Sequence, residues 1–163
     1  MIDRKKSIEV LNRAVSEELT AVMQYMYFHF HLENMGYKPL ADLFHKIAID
    51  EMRHAEDFAE RILYLNGDVT MSLAKPVEYI HDDVAKILAY ADVLEKTTVE
   101  HYNEYITVCE AEKDSGSKSL FEEILRREEE HEDIFGTEGD NLEKLGDTLL
   151  ALNAIEYTKE QAE

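Results

Sequence analysis

The chain is poor in the residues that break or staple a fold. One cysteine, Cys109, cannot close an internal disulfide, which fits a reducing compartment. Two prolines, Pro39 and Pro76, and six glycines leave no Pro/Gly/Ser-rich linker in 163 residues, so one domain over residues 1–163 is expected. No run of about 18 apolar residues exists, which excludes an apolar membrane-spanning helix. The opening stretch MIDRKKSIEV lacks an apolar core of signal-peptide length, and the expected location is cytoplasmic. Basic residues are also scarce: 17 Lys and Arg stand against 36 Asp and Glu, for a net charge of -19. Such a surface repels nucleic acid and anionic membrane, so neither is expected as a partner, and it attracts cations.

What remains is rich in helix formers, and the apolar residues fall at alternating steps of three and four. A first helix shows Ile8, Leu11, Val15, Val22 and Tyr25 on one face and ends near Asn34-Met35-Gly36, with Pro39 opening the next. The second shows Phe44, Ile47, Phe58, Ile62 and Leu65 and stops at Asn66-Gly67. Residues 68–80 read as a crossover long enough to span a bundle. A third helix carries Val84, Leu88, Ala91, Thr98, Tyr102 and Tyr105, and the polar break at 113–118 ends it. The fourth starts near Ser119, with Phe121, Ile124 and Phe135, and is weakened by Gly136 and Gly139. After Gly146 a short fifth helix is expected over about 147–158. The fold class is all-α: a four-helix bundle over about 5–145, with a long crossover between helices 2 and 3.

Each apolar stripe is interrupted by polar residues at the steps where apolar ones belong: Glu18, then Glu51 and His54, then Glu95, then Glu128 and His131. A lone Glu-x-x-His is a weak signal, and for any one of these residues a solvated helix face is the simpler reading. The spacing is stronger. Glu18 and Glu51 are 33 residues apart, as are Glu95 and Glu128, and the whole trio Glu18, Glu51, His54 recurs at a shift of 77. A third pair, Glu78 and His81, fails this test, since His45 stands 33 residues before Glu78. The midpoints of the matched pairs fall at the hairpin turns, so each pair should meet across its hairpin at one height.

Four carboxylates and two imidazoles buried together without compensation would cost many kcal/mol, whereas two divalent cations neutralise four carboxylates. One Glu from each of two helices plus a Glu-x-x-His from each of the other two is the established donor set of di-iron carboxylate bundles, so the pattern is matched to that rule and not deduced afresh. Oxygen-rich donors with one imidazole per metal suit iron or manganese better than zinc. Tyr25, two turns beyond Glu18, is either a core tyrosine or a hydrogen-bonding or redox-active neighbour of the metals. Met52 points about 100° away from the metal stripe, as a gap-filler, a subunit contact or a thioether ligand to haem iron. His29, His31, His45 and His101 have no partners in the repeat and read as ordinary histidines.

Taken together these motifs resemble the bacterioferritins. The resemblance rests on the EL-x-A-x-x-QY run at Glu18–Tyr25, IDEMRHA at Ile49–Ala55, ERIL-x-L-x-G at Glu60–Gly67, Glu95 in register, and ILR-x-EE-x-H from Ile124 to His131. It implies a homo-oligomeric, ferritin-like shell of twenty-four subunits built from dimers. Each subunit would hold two iron ions in a ferroxidase centre ligated by Glu18, Glu51, His54, Glu95, Glu128 and His131, with Glu51 and Glu128 bridging. The implied chemistry is oxidation of Fe(II) by dioxygen or peroxide, followed by mineral storage and, through a ferredoxin-type reductant, release. Met52 matches the methionine that ligates haem shared between two subunits, with Leu19, Val22, Met23, Met26 and Ile49 lining the pocket. The chain departs from the family at Lys46 and Ile47, where His-Glu is common, and across 68–82 and Gly136–Gly139.

Three rivals remain. A rubrerythrin-like peroxide reductase would bring a rubredoxin-type cysteine site, which Cys109 alone cannot form. A smaller, dodecameric ferritin-like cage is the second, though the fifth-helix segment after Gly146 favours the larger shell, and native mass measurement separates the two. A metal-free helical interaction module would bind no transition metal.

Overall fold

The computed structural model describes residues 4–162; Met1–Asp3 and Glu163, and so the two ends of the expected domain range, lie outside the described residues. The described residues form α1 (Lys5–Asn34), α2 (Lys38–Tyr64), α3 (Val84–Ala111), α4 (Ser115–Leu145) and α5 (Asp147–Ala162). Helices α1 and α2 pack as one antiparallel hairpin and α3 and α4 as another, with α1 against α3 and α2 against α4.

The first three helices stop in the same way. At the end of α1 the Gly36 amide donates to Glu33 O at 2.9 Å and the Tyr37 amide to Leu32 O at 2.9 Å, with Gly36 at φ +84°. Asn66 (φ +60°) and Lys113 (φ +54°) take the equivalent left-handed position after α2 and α3. This is the Schellman arrangement, which satisfies carbonyls the helix leaves unpaired. In the Asn66-Gly67 stop the left-handed residue is thus Asn66, not Gly67. The role of Gly67 is close approach, since a Cβ there would lie 2.8 Å from Ile8 Cγ2.

Two boundaries differ from the sequence expectation. The polar break at 113–118 is only the turn at 112–114, and α4 begins four residues before Ser119. Asp114 both follows the left-handed Lys113 and caps α4, accepting from the Ser117 amide at 3.2 Å and the Ser117 hydroxyl at 2.6 Å. The buried Asp114 carboxylate also accepts from Arg61 at 2.6 Å and Arg4 at 3.1 Å, tying α2 and the start of α1 to this cap. Gly136 and Gly139 do not interrupt α4: about 1 kcal/mol per helical glycine is too little to stop a helix anchored by the buried Phe135.

The 27 residues of α2 rise about 40 Å, and the crossover at 65–83 returns that distance along α1. A polar ladder on α1 guides it: Asn12 bonds Asp68 O and the Thr70 amide, Thr20 accepts from the Ala74 amide, and Gln24 bonds both the amide and carbonyl of Glu78 at 2.8 and 2.9 Å. Helix α5 runs four residues beyond the expected end. Its buried Asn153 accepts from the Leu40 amide at 3.2 Å, filling the first turn of α2, where Tyr37 provides no side-chain cap.

The core is two apolar clusters. Tyr25, Phe28, Phe44, Ile87 and Phe135 are among the residues of one, and Leu11, Val15, Phe58, Phe121 and Ile124 of the other. Along every bundle helix the residues of these clusters flank a buried polar stretch.

Candidate metal centre

That polar stretch is the six residues singled out by the repeat. Glu18, Glu51, His54, Glu95, Glu128 and His131 are all buried, with Glu51 at 0% exposure and none above 7%. One donor set is Glu18, Glu51, His54 and Glu128; the other is Glu51, Glu95, Glu128 and His131. In each set one ligand atom per residue lies within 4.8 Å of all the others. Glu51 and Glu128 belong to both.

The packing leaves the polar atoms poorly matched among themselves. His54 Nδ1 lies 3.0 Å from Glu51 Oε2, 2.8 Å from Glu128 Oε1 and 3.8 Å from Glu18 Oε1, yet one ring nitrogen donates at most one proton. Glu128 Oε1, though close, receives no aligned hydrogen bond. His131 Nδ1 lies 3.0 Å from Glu51 Oε1, and the two imidazoles stack with centroids 5.9 Å apart. Three carboxylate oxygens aimed at one imidazole nitrogen fit a cation at their centre far better than they fit one another.

Burial pushes the Glu51, Glu95 and Glu128 carboxyls well above the usual range, and their mutual repulsion adds to it. For His54 burial works against the charged ring, but hydrogen bonds to Glu128, Glu18 and Glu51 outweigh it and hold the proton on. His131, with fewer acceptors, is pulled down by its burial. Without a cation the cluster thus keeps protons that a metal would displace.

Two tyrosines brace the terminal glutamates across the α1/α3 contact. Tyr25 on α1 donates to Glu95 Oε1, and Tyr102 on α3 donates to Glu18 Oε1. Both rings are fully buried and edge-packed, Tyr25 on Phe44 and Tyr102 on Phe58. Tyr25 is thus both a core residue and a hydrogen-bonding neighbour of the centre. Tyr102 entered the sequence reading only as part of an apolar stripe, although it stands 77 residues after Tyr25 and so belongs to the same repeat.

A Ferritin-like domain model matches residues 8–145. Bacterioferritin of Desulfovibrio desulfuricans is 41% identical over 151 residues, covering 91% of this chain and 83% of that protein. The bacterioferritin of Streptomyces coelicolor is 35% identical, covering 93% and 90%. This chain belongs to the bacterioferritin family.

Solved bacterioferritins share its fold. The D. desulfuricans structure, described as showing its di-iron site in different catalytic states, superposes with a TM-score of 0.90 at 40% identity over 93% of this chain and 88% of that one. The Rhodobacter capsulatus bacterioferritin, described with a metal-free dinuclear site and a haem iron, gives 0.89 at 31% identity over 94% and 96%.

The remaining sequence candidates separate cleanly. Met52 is 51% exposed and Met23 52% exposed, on the surface of the α1/α2 hairpin, with Leu19, Val22, Met26 and Ile49 half-buried. Lys46 is exposed and lines, with Arg53 and Arg127, a cleft of about 420 Å³ between α2 and α4 whose wall includes His54 and His131. Glu78 and His81 lie in the crossover, exposed and outside the cluster. His101 is part-exposed, with Nδ1 2.7 Å from Glu17 Oε1.

Proposed function

We propose that this chain stores and detoxifies iron as a ferroxidase, with Glu18 and His54 holding one Fe(II), Glu95 and His131 the other, and Glu51 and Glu128 bridging the two. The observation that carries this reading is the pair of buried donor sets that share those two glutamates. The bound iron pair supplies two electrons, which with two protons reduce dioxygen to peroxide or peroxide to two waters. The protein's part is to hold the two ions adjacent, to offset their positive charge with four carboxylates, and to keep the terminal Glu18 and Glu95 oriented through Tyr102 and Tyr25. The cleft between α2 and α4 gives an aqueous approach on the imidazole side.

Met52 would hold a haem iron together with the same methionine of a second copy, and thioether donors would favour the reduced iron. An exposed methionine ringed by half-buried apolar residues supports a subunit contact there. The assembled form is a cytoplasmic shell of twenty-four copies, with a ferredoxin-type protein as reductant for release. Native mass measurement tests the assembly, and a Soret band present in the wild type and absent in Met52→Leu tests the haem.

Anaerobic titration with Fe(II) followed by stopped-flow oxidation tests the centre. Two ions per chain should be oxidised rapidly, and Glu18→Ala or Glu128→Ala should abolish the fast phase. Unchanged rates in either variant would overturn the assignment.

A further inference from the structure

The α1/α3 edge of the centre carries a second group of chemistry-bearing residues outside the six. Glu17, next to Glu18 on α1, accepts through one oxygen only: His101 Nδ1 at 2.7 Å and the Tyr105 hydroxyl at 3.0 Å both meet Oε1. Its other oxygen, Oε2, is buried and has no hydrogen-bond partner. A carboxylate oxygen withdrawn from water with no donor is costly, and such an atom asks for a cation or a bound water.

Glu17 stands in the walls of two cavities that flank it under the crossover. One, about 220 Å³, is lined by Glu17 and Thr20 from α1 and by Leu94, Thr98 and His101 from α3, residues that bracket Glu18 and Glu95 in sequence. The other, about 330 Å³, includes Tyr105 and Asn12. The one cation lining the first, Lys75, has its ammonium over the Tyr90 ring at 4.9 Å. The opposite approach, between α2 and α4, mixes Lys46, Arg53 and Arg127 with Asp50, Asp57, Glu123 and Glu130, and two of its cations are paired, Arg53 with Asp50 and Arg127 with Glu130.

We propose that Glu17 and His101 form a staging site for a hydrated divalent cation on the α1/α3 face, from which Fe(II) passes to the Glu18 and Glu95 side of the centre. The staging role rests on the ferroxidase reading above. Glu17 Oε2 supplies a carboxylate oxygen, and His101, whose Nδ1 is engaged by Glu17 Oε1, offers Nε2 to the water shell that fills the remaining positions, as suits an ion that must be released onward. Tyr105 holds Oε1, fixing the direction in which Oε2 points.

The test uses Co(II) alone, soaked into crystals of the full-length protein and located by anomalous scattering. Three peaks per chain are expected in the wild type, two at the centre and a weaker one between Glu17 and His101. The third should vanish in Glu17→Gln and His101→Gln while the central two persist. At Fe(II) below saturation, both variants should oxidise iron at least threefold more slowly. A wild-type map with no peak at Glu17 and His101 overturns the site, and a peak with undiminished rates in both variants overturns the staging role. Central peaks missing while the third is present would count against the ferroxidase reading and leave the cation site standing.

Discussion

Tyr102 on α3 hydrogen-bonds to Glu18 on α1, and Tyr25 on α1 hydrogen-bonds to Glu95 on α3, so each terminal glutamate is held by a phenol from the opposite helix. Outer-sphere partners of this kind fix ligand orientation, and their loss typically weakens metal binding by about 10–100-fold. Tyr25→Phe and Tyr102→Phe should each lower the Co(II) affinity of the centre within that range while leaving two ions at the centre at saturation. Titration of the cobalt absorption bands checks this. Equal affinity in both variants would reduce the tyrosines to core packing.

The six-residue cluster works against the stability of the metal-free chain. Glu51 is completely buried beside Glu18, Glu95 and Glu128, and Gln at 51 keeps the shape without the charge. Glu51→Gln should therefore raise metal-free stability by about 1–3 kcal/mol. The same variant should lose most of the gain from metal, which for a wild type at 1,000 times its dissociation constant is about 4 kcal/mol. Thermal unfolding with and without Co(II) reads both effects, and a metal-free Glu51→Gln less stable than wild type would contradict the first.

Most of the centre can be read from the sequence because it repeats. A 33-residue hairpin spacing and a 77-residue duplication pick out the six buried residues of the cluster without any structure, and Tyr25 with Tyr102 extends the same repeat. The pairing of Glu17 with His101 has no such echo. It arises where α1 and α3 touch, and residue 94, at the shift of 77 from Glu17, is leucine. The helix ends fall close to their expected places, but the left-handed residues that make two of them, Asn66 and Lys113, are not glycines: the Schellman bonds repay the strain. The start of α4 was misplaced because a capping aspartate sits inside a run that reads as polar loop.

The upward shift of the buried carboxyls gives the pH dependence a definite sign. Glu51, Glu95 and Glu128 titrate above their unfolded value of 4.5, because burial and then neighbouring carboxylates disfavour the anion. Their contribution to metal-free stability is complete below about pH 4.5 and is lost as pH rises through the raised folded values. Denaturant unfolding of the metal-free protein should show stability falling between pH 5 and pH 8. Glu128→Gln should flatten that slope. Metal binding should run the other way, tightening with pH and releasing protons, which a weakly buffered Co(II) titration detects.

Gln24 makes two backbone bonds to Glu78, attaching the later part of the crossover to α1. Gln24→Ala should leave the bundle folded but speed amide hydrogen exchange around residues 74–80 by about thirtyfold, since two bonds are lost at about 1 kcal/mol each. Exchange elsewhere should be unaffected. Uniformly faster exchange would mean that the crossover is part of the global folding unit.

Asp114 provides a stability test far from the metals. Burial alone would push its carboxyl up, but the Ser117 hydroxyl and amide and the Arg61 guanidinium outweigh burial and hold it below its ordinary value. The stability it contributes is therefore present above about pH 3.8 and lost as pH falls through the lower folded value. Asp114→Ala removes the α4 cap, worth about 1 kcal/mol, and strands the half-buried Arg61 and the buried Ser117 hydroxyl, so a total loss of about 3 kcal/mol is expected. Asp114→Asn keeps an acceptor for the Ser117 amide and should cost about half as much. Chemical denaturation measures both, and Co(II) stoichiometry should stay at two for the centre in each, because the cap and the carboxylate cluster share no residue.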